Sequence, residues 1–380
     1  MNRIDSLREI RNLDDVEYVL KGLGILGTGG GGPPREFGQP VMEADLAAGR
    51  SYTLVAPSEV PDEALILSGG YLGSVADPID VYEVLERWES DFEFGRAVRE
   101  MERYLGRKVD YLLSTELGGG NTIVSLTAGA RLGIPVIDAD TAGRAVPETH
   151  MTSMSLTDAK ATPAVMIDLE NNVVFTERCA QLFLDQLGRF LVTRTHKMVA
   201  LVGSPMSGEQ LKRGVIPGSI SAAYDIGRFC SGLEGSPEEK LDRLAAHMGG
   251  WPLFYGKVTK VEADNTSGHY VAGIDLAGLG KYSQQVFRIS IKNETMAGWR
   301  DGRLMVMLPD LLLMLRLSDL EGVMSSDIVP DMEMLIAGVP CHPRLREAMQ
   351  TPEGTRAFSS ERYGLSIPYQ PIENLQGGVE

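Results

Sequence analysis

The chain has 380 residues, with 36 Lys and Arg against 52 Asp and Glu, a formal charge of −16. A balance that acidic lacks the basic face needed by phosphate backbones and anionic lipid, so neither nucleic-acid nor membrane-surface binding is expected. The length suits two domains with a substantial core. Three scattered cysteines, a charged start and no long apolar run predict a cytoplasmic chain.

Near the start, Asn12 or Asp14 is placed to cap a helix in which Val16, Val19, Leu20 and Leu23 recur at helical spacing. Gly27-Thr28-Gly29-Gly30-Gly31-Gly32 and then Pro33-Pro34 stop it. Consecutive glycines let backbone N–H groups converge on an anion or a substrate carbonyl. Thr28, Gly29, Gly30 and Gly31 are therefore candidate substrate-binding residues. The run is not a Walker A loop, because no Gly-Lys-Ser/Thr follows. It is not a dinucleotide fingerprint either, because a helix precedes it. No motif signals a cofactor. Strands are predicted at 52–56 and 64–67, then a helical pattern over 81–105 with a break at Gly95.

A βαβ unit follows, with a strand at 109–114, a helix at 121–132 ended by Gly133, and a strand at 134–137. In parallel α/β sheets, sites lie outside the carboxyl ends of the strands. Glu116, Gly118, Gly119 and Asn121 follow the first of these strands. Asp138, Asp140, Arg144, Glu148 and His150 follow the second. Two carboxylates at i and i+2, close to a third, suit general acid–base work. They equally suit a hard divalent cation, so the metal is left open. Arg144 could clasp a substrate carboxylate or keep Asp138 ionised. A buried Asp–Arg network with no chemistry is the bland alternative. No HExxH or GxSxG pattern is present; Thr195-His196-Lys197 is a weaker candidate from the middle of the chain.

Further strands are predicted at 164–167, 173–175 and 198–202, with helices at 177–190, 219–229 and 237–247. From 256 to about 316 the texture becomes that of strands, at 256–261, 270–274, 285–291 and 304–308. The expected architecture is an α/β N-terminal domain with parallel βαβ units over 1–168. A C-terminal domain over 169–380 follows, first helical and then β-rich.

The glycine run, Glu116-Leu117-Gly118-Gly119 with Asn121, and Asp138-Ala139-Asp140 through Arg144 to Pro147-Glu148 carry a resemblance. Weaker echoes lie at Ile216-Pro217-Gly218-Ser219, Asn293-Glu294 and Pro309-Asp310-Leu311. On these motifs the chain resembles the S-methyl-thiohydantoin desulfurase-like family, stretches of which also occur fused to hydantoinase/oxoprolinase-type proteins. The resemblance implies the same two-domain fold. It also implies hydrolysis of a small five-membered cyclic amide-like ring, of the thiohydantoin or hydantoin class. In that reading Glu116 or Asp138 activates water, and glycine amides, Arg144 or His150 stabilise developing charge. Asp140 or Glu148 then protonates the leaving nitrogen or sulfur. The alternative is a non-catalytic ligand-binding subunit partnering a hydantoinase-type enzyme. A homo-oligomer is left open.

Overall fold

A computed structural model of the chain describes residues 7–73, 80–194, 198–264 and 269–377; Thr195-His196-Lys197 lies outside the described residues. Strand Tyr111–Ser114 shows how the first sheet is built. Leu112 joins the main core, while Leu113 points the other way, into a cluster with Ile66, Ile137 and Leu211. Burial on both faces is the usual condition of parallel strands. This strand pairs in parallel with Leu65–Gly73 on one side and Val136–Ile137 on the other, and Tyr52–Val55 pairs in parallel with the latter. The Asn121–Leu132 helix makes the crossover, ended by Gly133 in a left-handed turn. Beyond this parallel core the sheet continues antiparallel through Met198–Ser207, Ala164–Asp168 and Val173–Thr176, with Glu9–Ile10 at the opposite edge.

The second sheet has seven antiparallel strands. Their order is Arg303–Met307, Glu294–Arg300, Val286–Lys292, Val271–Gly278, Trp251–Asp264, Glu333–Val339 and Leu311–Arg316. Its alternating inward residues, such as Ile274, Leu276, Phe287 and Ile289, are fully buried. The architecture is thus the expected α/β domain followed by a β-rich one. The two halves are tied by the Leu13–Leu26 helix against Ser219–Ser231, where Tyr18 meets Tyr224 edge-on at 5.6 Å. Among the described residues no helix is long and apolar enough to cross a membrane.

Two local expectations change. The helical pattern over 81–105 is two helices, Val81–Ser90 and Glu93–Leu105, parted at Asp91-Phe92 and not at Gly95. The Phe92 ring folds back onto Trp88 at 4.6 Å, which fixes the bend, and Gly95 stays helical. Strands Leu311–Arg316 and Glu333–Val339 are almost wholly buried apolar runs. Such runs show no period-2 alternation, so pattern reading passes over them.

Candidate functional site

The two glycine runs pack on each other. Gly120 N donates to Gly31 O at 2.8 Å, and a Cβ on Gly118 would run into the Gly31 backbone. The amides of Gly29, Gly31 and Gly118 bond to Val323 O, Gly27 O and Thr122 Oγ1. A Cβ on Gly119 would strike the Pro34 backbone. Thr28 donates its hydroxyl to Met314 O at 3.0 Å in the second sheet. The structure places Thr28, Gly29, Gly31, Gly118 and Gly119, expected to bind substrate, in a backbone seam between loops, where the Thr28 hydroxyl and the amides of Gly29, Gly31 and Gly118 are already hydrogen-bonded. Gly30 differs. A Cβ there would collide with Oε1 of Glu294, so the glycine leaves room for that carboxyl.

Glu294 opens strand Glu294–Arg300 in the second sheet and is 3% exposed. Its Oε2 has no hydrogen-bond partner. Burial, and next the negative charge of Glu116, push its carboxyl up to about 8. Glu116 is half-buried beyond strand Tyr111–Ser114. Asn121 Nδ2 donates to its Oε1 and Val146 N to its Oε2, both at 2.7 Å. Burial raises Glu116 as well, but these two donors, with the charges of Arg189 and Arg144, oppose the rise. Asn121 is itself held by Tyr71 N, which donates to its Oδ1 at 2.7 Å. Arg189, from helix Gln181–Arg194, donates to Gly73 O and Pro147 O at 3.0 and 2.9 Å. The arrangement is two carboxyls from two domains: one held by donors at both oxygens, the other buried with its Oε2 unpartnered.

The loop after Val136–Ile137 divides. Asp138, 1% exposed, does not face Glu116's donors. It accepts from Ile220 N, Ser221 N and Ser221 Oγ at the start of the Ser219–Ser231 helix. The structure thus places Asp138, expected to activate water, as a carboxylate on a helix N-terminus. Asp140 is fully buried; its Oδ2 accepts from Ala142 N and Gly143 N, and its Oδ1 has no partner. Burial chiefly, with a contribution from Glu116's charge, raises it to about 7.

Arg144, 3% exposed, bonds to no carboxylate. It donates to the main-chain carbonyls of Ala145, Asp310, Pro309 and Thr295. The guanidinium expected to clasp a substrate carboxylate is placed here against neutral oxygens of the protein itself. Glu148 pairs with Lys292 and Arg362 at 2.6 Å each and lies 3.2 Å from His150 Nε2. Those cations overcome burial and hold Glu148, the expected proton donor, below the usual carboxylate range, within an ion-pair cluster. Burial holds His150 below the usual range, and its Nδ1 has no partner.

Sequence reasoning missed Glu294 and Arg189. Asn293-Glu294 was visible only as a family echo; the usable signal was a lone glutamate opening an otherwise buried run, Thr295-Met296-Ala297-Gly298. Arg189 carried no signal in its helix. Among the described residues no group of three or more His, Cys, Asp or Glu is arranged to hold a metal ion. Burial raises all three thiols, that of Cys230 to about 12, which leaves them poor nucleophiles.

Comparison with known proteins places both halves. The model of the S-Me-THD-like N-terminal domain matches residues 14–178, and that of the S-Me-THD-like C-terminal domain matches 180–372. No curated protein matches. The crystal structure of a protein from Chromobacterium violaceum is similar at 21% identity and a TM-score of 0.71, over 96% of this chain and 100% of that one. At that identity the likeness concerns the fold.

Proposed function

This chain belongs to the S-Me-THD-like family, and we propose that it is a hydrolase of a five-membered ring of the S-methylated thiohydantoin type. The observation that carries the reading is the buried carboxyl of Glu294, with its Oε2 unpartnered, in the field of the donor-held carboxylate of Glu116. Glu116 ionises first, since its charge raises Glu294, so a single proton on the pair sits on Glu294. Glu116 is then a general base and Glu294 a general acid.

In the proposed reaction Glu116 takes a proton from water. The oxygen bonds to the ring carbon that carries sulfur, and the electron pair of the C=N bond moves to nitrogen. As that pair returns, the C–S bond breaks, and Glu294 gives its proton to the departing sulfur. Methanethiol leaves, and the ring carbon ends as a carbonyl after tautomerisation. Water and the methylthio ring become the oxo ring and a thiol, with no change of oxidation state. Proton transfer from Glu116 to Glu294 resets the pair. Asp140 lies within the field of Glu116 and is a reserve site for the proton.

The test is turnover of a panel of S-methyl-thiohydantoins, hydantoins and lactams, read as thiol release or ring opening. Thiol release that is lost in Glu294→Gln supports the reading. Turnover of none, with tight binding of one, favours a ligand-binding subunit. Near-normal turnover in folded Glu116→Gln and Glu294→Gln keeps an enzyme but moves its site.

A further inference from the structure

Arg144 is a buried cation whose hydrogen bonds all go to neutral oxygens. Desolvating a guanidinium is costly, and its carbonyl partners return less than a carboxylate would. The position must gain something from geometry. Its main-chain carbonyl accepts from Leu117 N at 3.3 Å, the residue after Glu116. Two residues on, Val146 N donates to Glu116 Oε2 at 2.7 Å. In the other direction its Nη2 donates to Thr295 O at 3.1 Å, the residue after Glu294. Its Nη1 donates to Asp310 O at 3.0 Å. Asp310 is itself fixed: its carboxylate accepts from Cys341 N, Arg346 Nη2, Tyr369 Oη and Ile372 N.

We propose that Arg144 is a positioning residue, whose main chain holds the Glu116 loop while its side chain holds the Glu294 strand. Two carboxyls from different domains thereby keep one spacing. The claim rests on the Glu116–Glu294 reading above. It assigns Arg144 no contact with substrate. It also explains why the residue is arginine: a rigid planar fork spreads five N–H donors over carbonyls of separate segments, where an ammonium offers three from a single point. The same fixed charge favours the ionised form of both glutamates.

The experiment is an infrared titration of the full-length protein, following the protonated-carboxyl band that Glu294→Gln removes, alongside steady-state kinetics. In the wild type that band titrates near pH 8. Arg144→Gln removes the charge, so the band persists to higher pH. Arg144→Lys keeps the charge and loses the fork. Its band titrates close to the wild type, while kcat falls about 10²-fold from a displacement of about 1 Å, with KM little changed. A band that titrates unchanged in folded Arg144→Gln, or wild-type kcat in Arg144→Lys, overturns the proposal and leaves the carboxyl pair standing. If Arg144→Gln does not fold, Arg144→Lys decides alone. A wild type with no such band removes the pair and this proposal with it.

Discussion

Lys292 and Glu294 lie two residues apart, and each serves a different carboxyl. Lys292 reaches back to Glu148, where Arg362 supplies a second cation and His150 Nε2 lies 3.2 Å away. Glu294 turns toward a glycine and leaves its Oε2 without a donor. Both glutamates are largely buried, yet one is held below the usual range and the other is raised to about 8. The difference lies in the partners, since burial acts on both in the same sense. An acidic stretch of sequence therefore does not tell an anchor from a proton donor; the cations that fold against it do.

Exchanging the charged forms for amides should separate the two regions most sharply. Glu294→Gln and Glu116→Gln should each lower kcat by about 10²–10⁴, with KM little changed, because a general acid or base is lost and the shape is kept. Glu148→Gln should act on the other axis. Lys292 and Arg362 lose their counter-charge, at about 3 kcal/mol of stability read from urea denaturation, while kcat per folded molecule stays near wild type. A large kcat loss in Glu148→Gln without a stability change would erase the contrast.

The pH dependence sharpens it further. A rate that needs protonated Glu294 should fall as pH rises through about 8, and this alkaline limb should vanish in Glu294→Gln together with most of the activity. Stability should move in the same direction. The folded state keeps a proton that the unfolded chain gives up near pH 4.5, so stability declines as pH rises from there to about 8. Glu148 has the opposite sign: its folded carboxyl sits below the unfolded value, and its contribution is lost as pH falls through the acid range. Stability measured from pH 4 to 9 should thus show a shallower decline between about pH 4.5 and 8 in Glu294→Gln.

Much of this was legible in the residues. The βαβ unit around Asn121–Leu132 was readable because its period changes and Gly133 marks its end. Glu116 was legible as a carboxylate at a parallel strand's end. The glycine run was visible as a feature, but its role was not. Glycines that admit a ligand and glycines that admit a second backbone look alike until Gly31 is seen against Gly118. Glu294 could not be placed from the sequence, because its partner lies 178 residues earlier, in the other domain. Periodicity reports what faces a core. It carries nothing about which two faces meet.

The smallest expected effect concerns the two aspartates that look most alike. Asp138 and Asp140 share one short segment, yet Asp138 spends its oxygens on Ile220 and Ser221, while Asp140 keeps an Oδ1 without a partner. In Asp138→Asn the amide oxygen still accepts from both backbone N–H groups, and its NH₂ donates to Ser221 Oγ once that hydroxyl turns. What is lost is a negative charge at a helix N-terminus, worth about 0.5–1 kcal/mol. The urea midpoint should drop slightly, and kcat should stay within about twofold of wild type. A kcat loss of about 10² in folded Asp138→Asn would return Asp138 to the chemistry and take the helix-anchor assignment away.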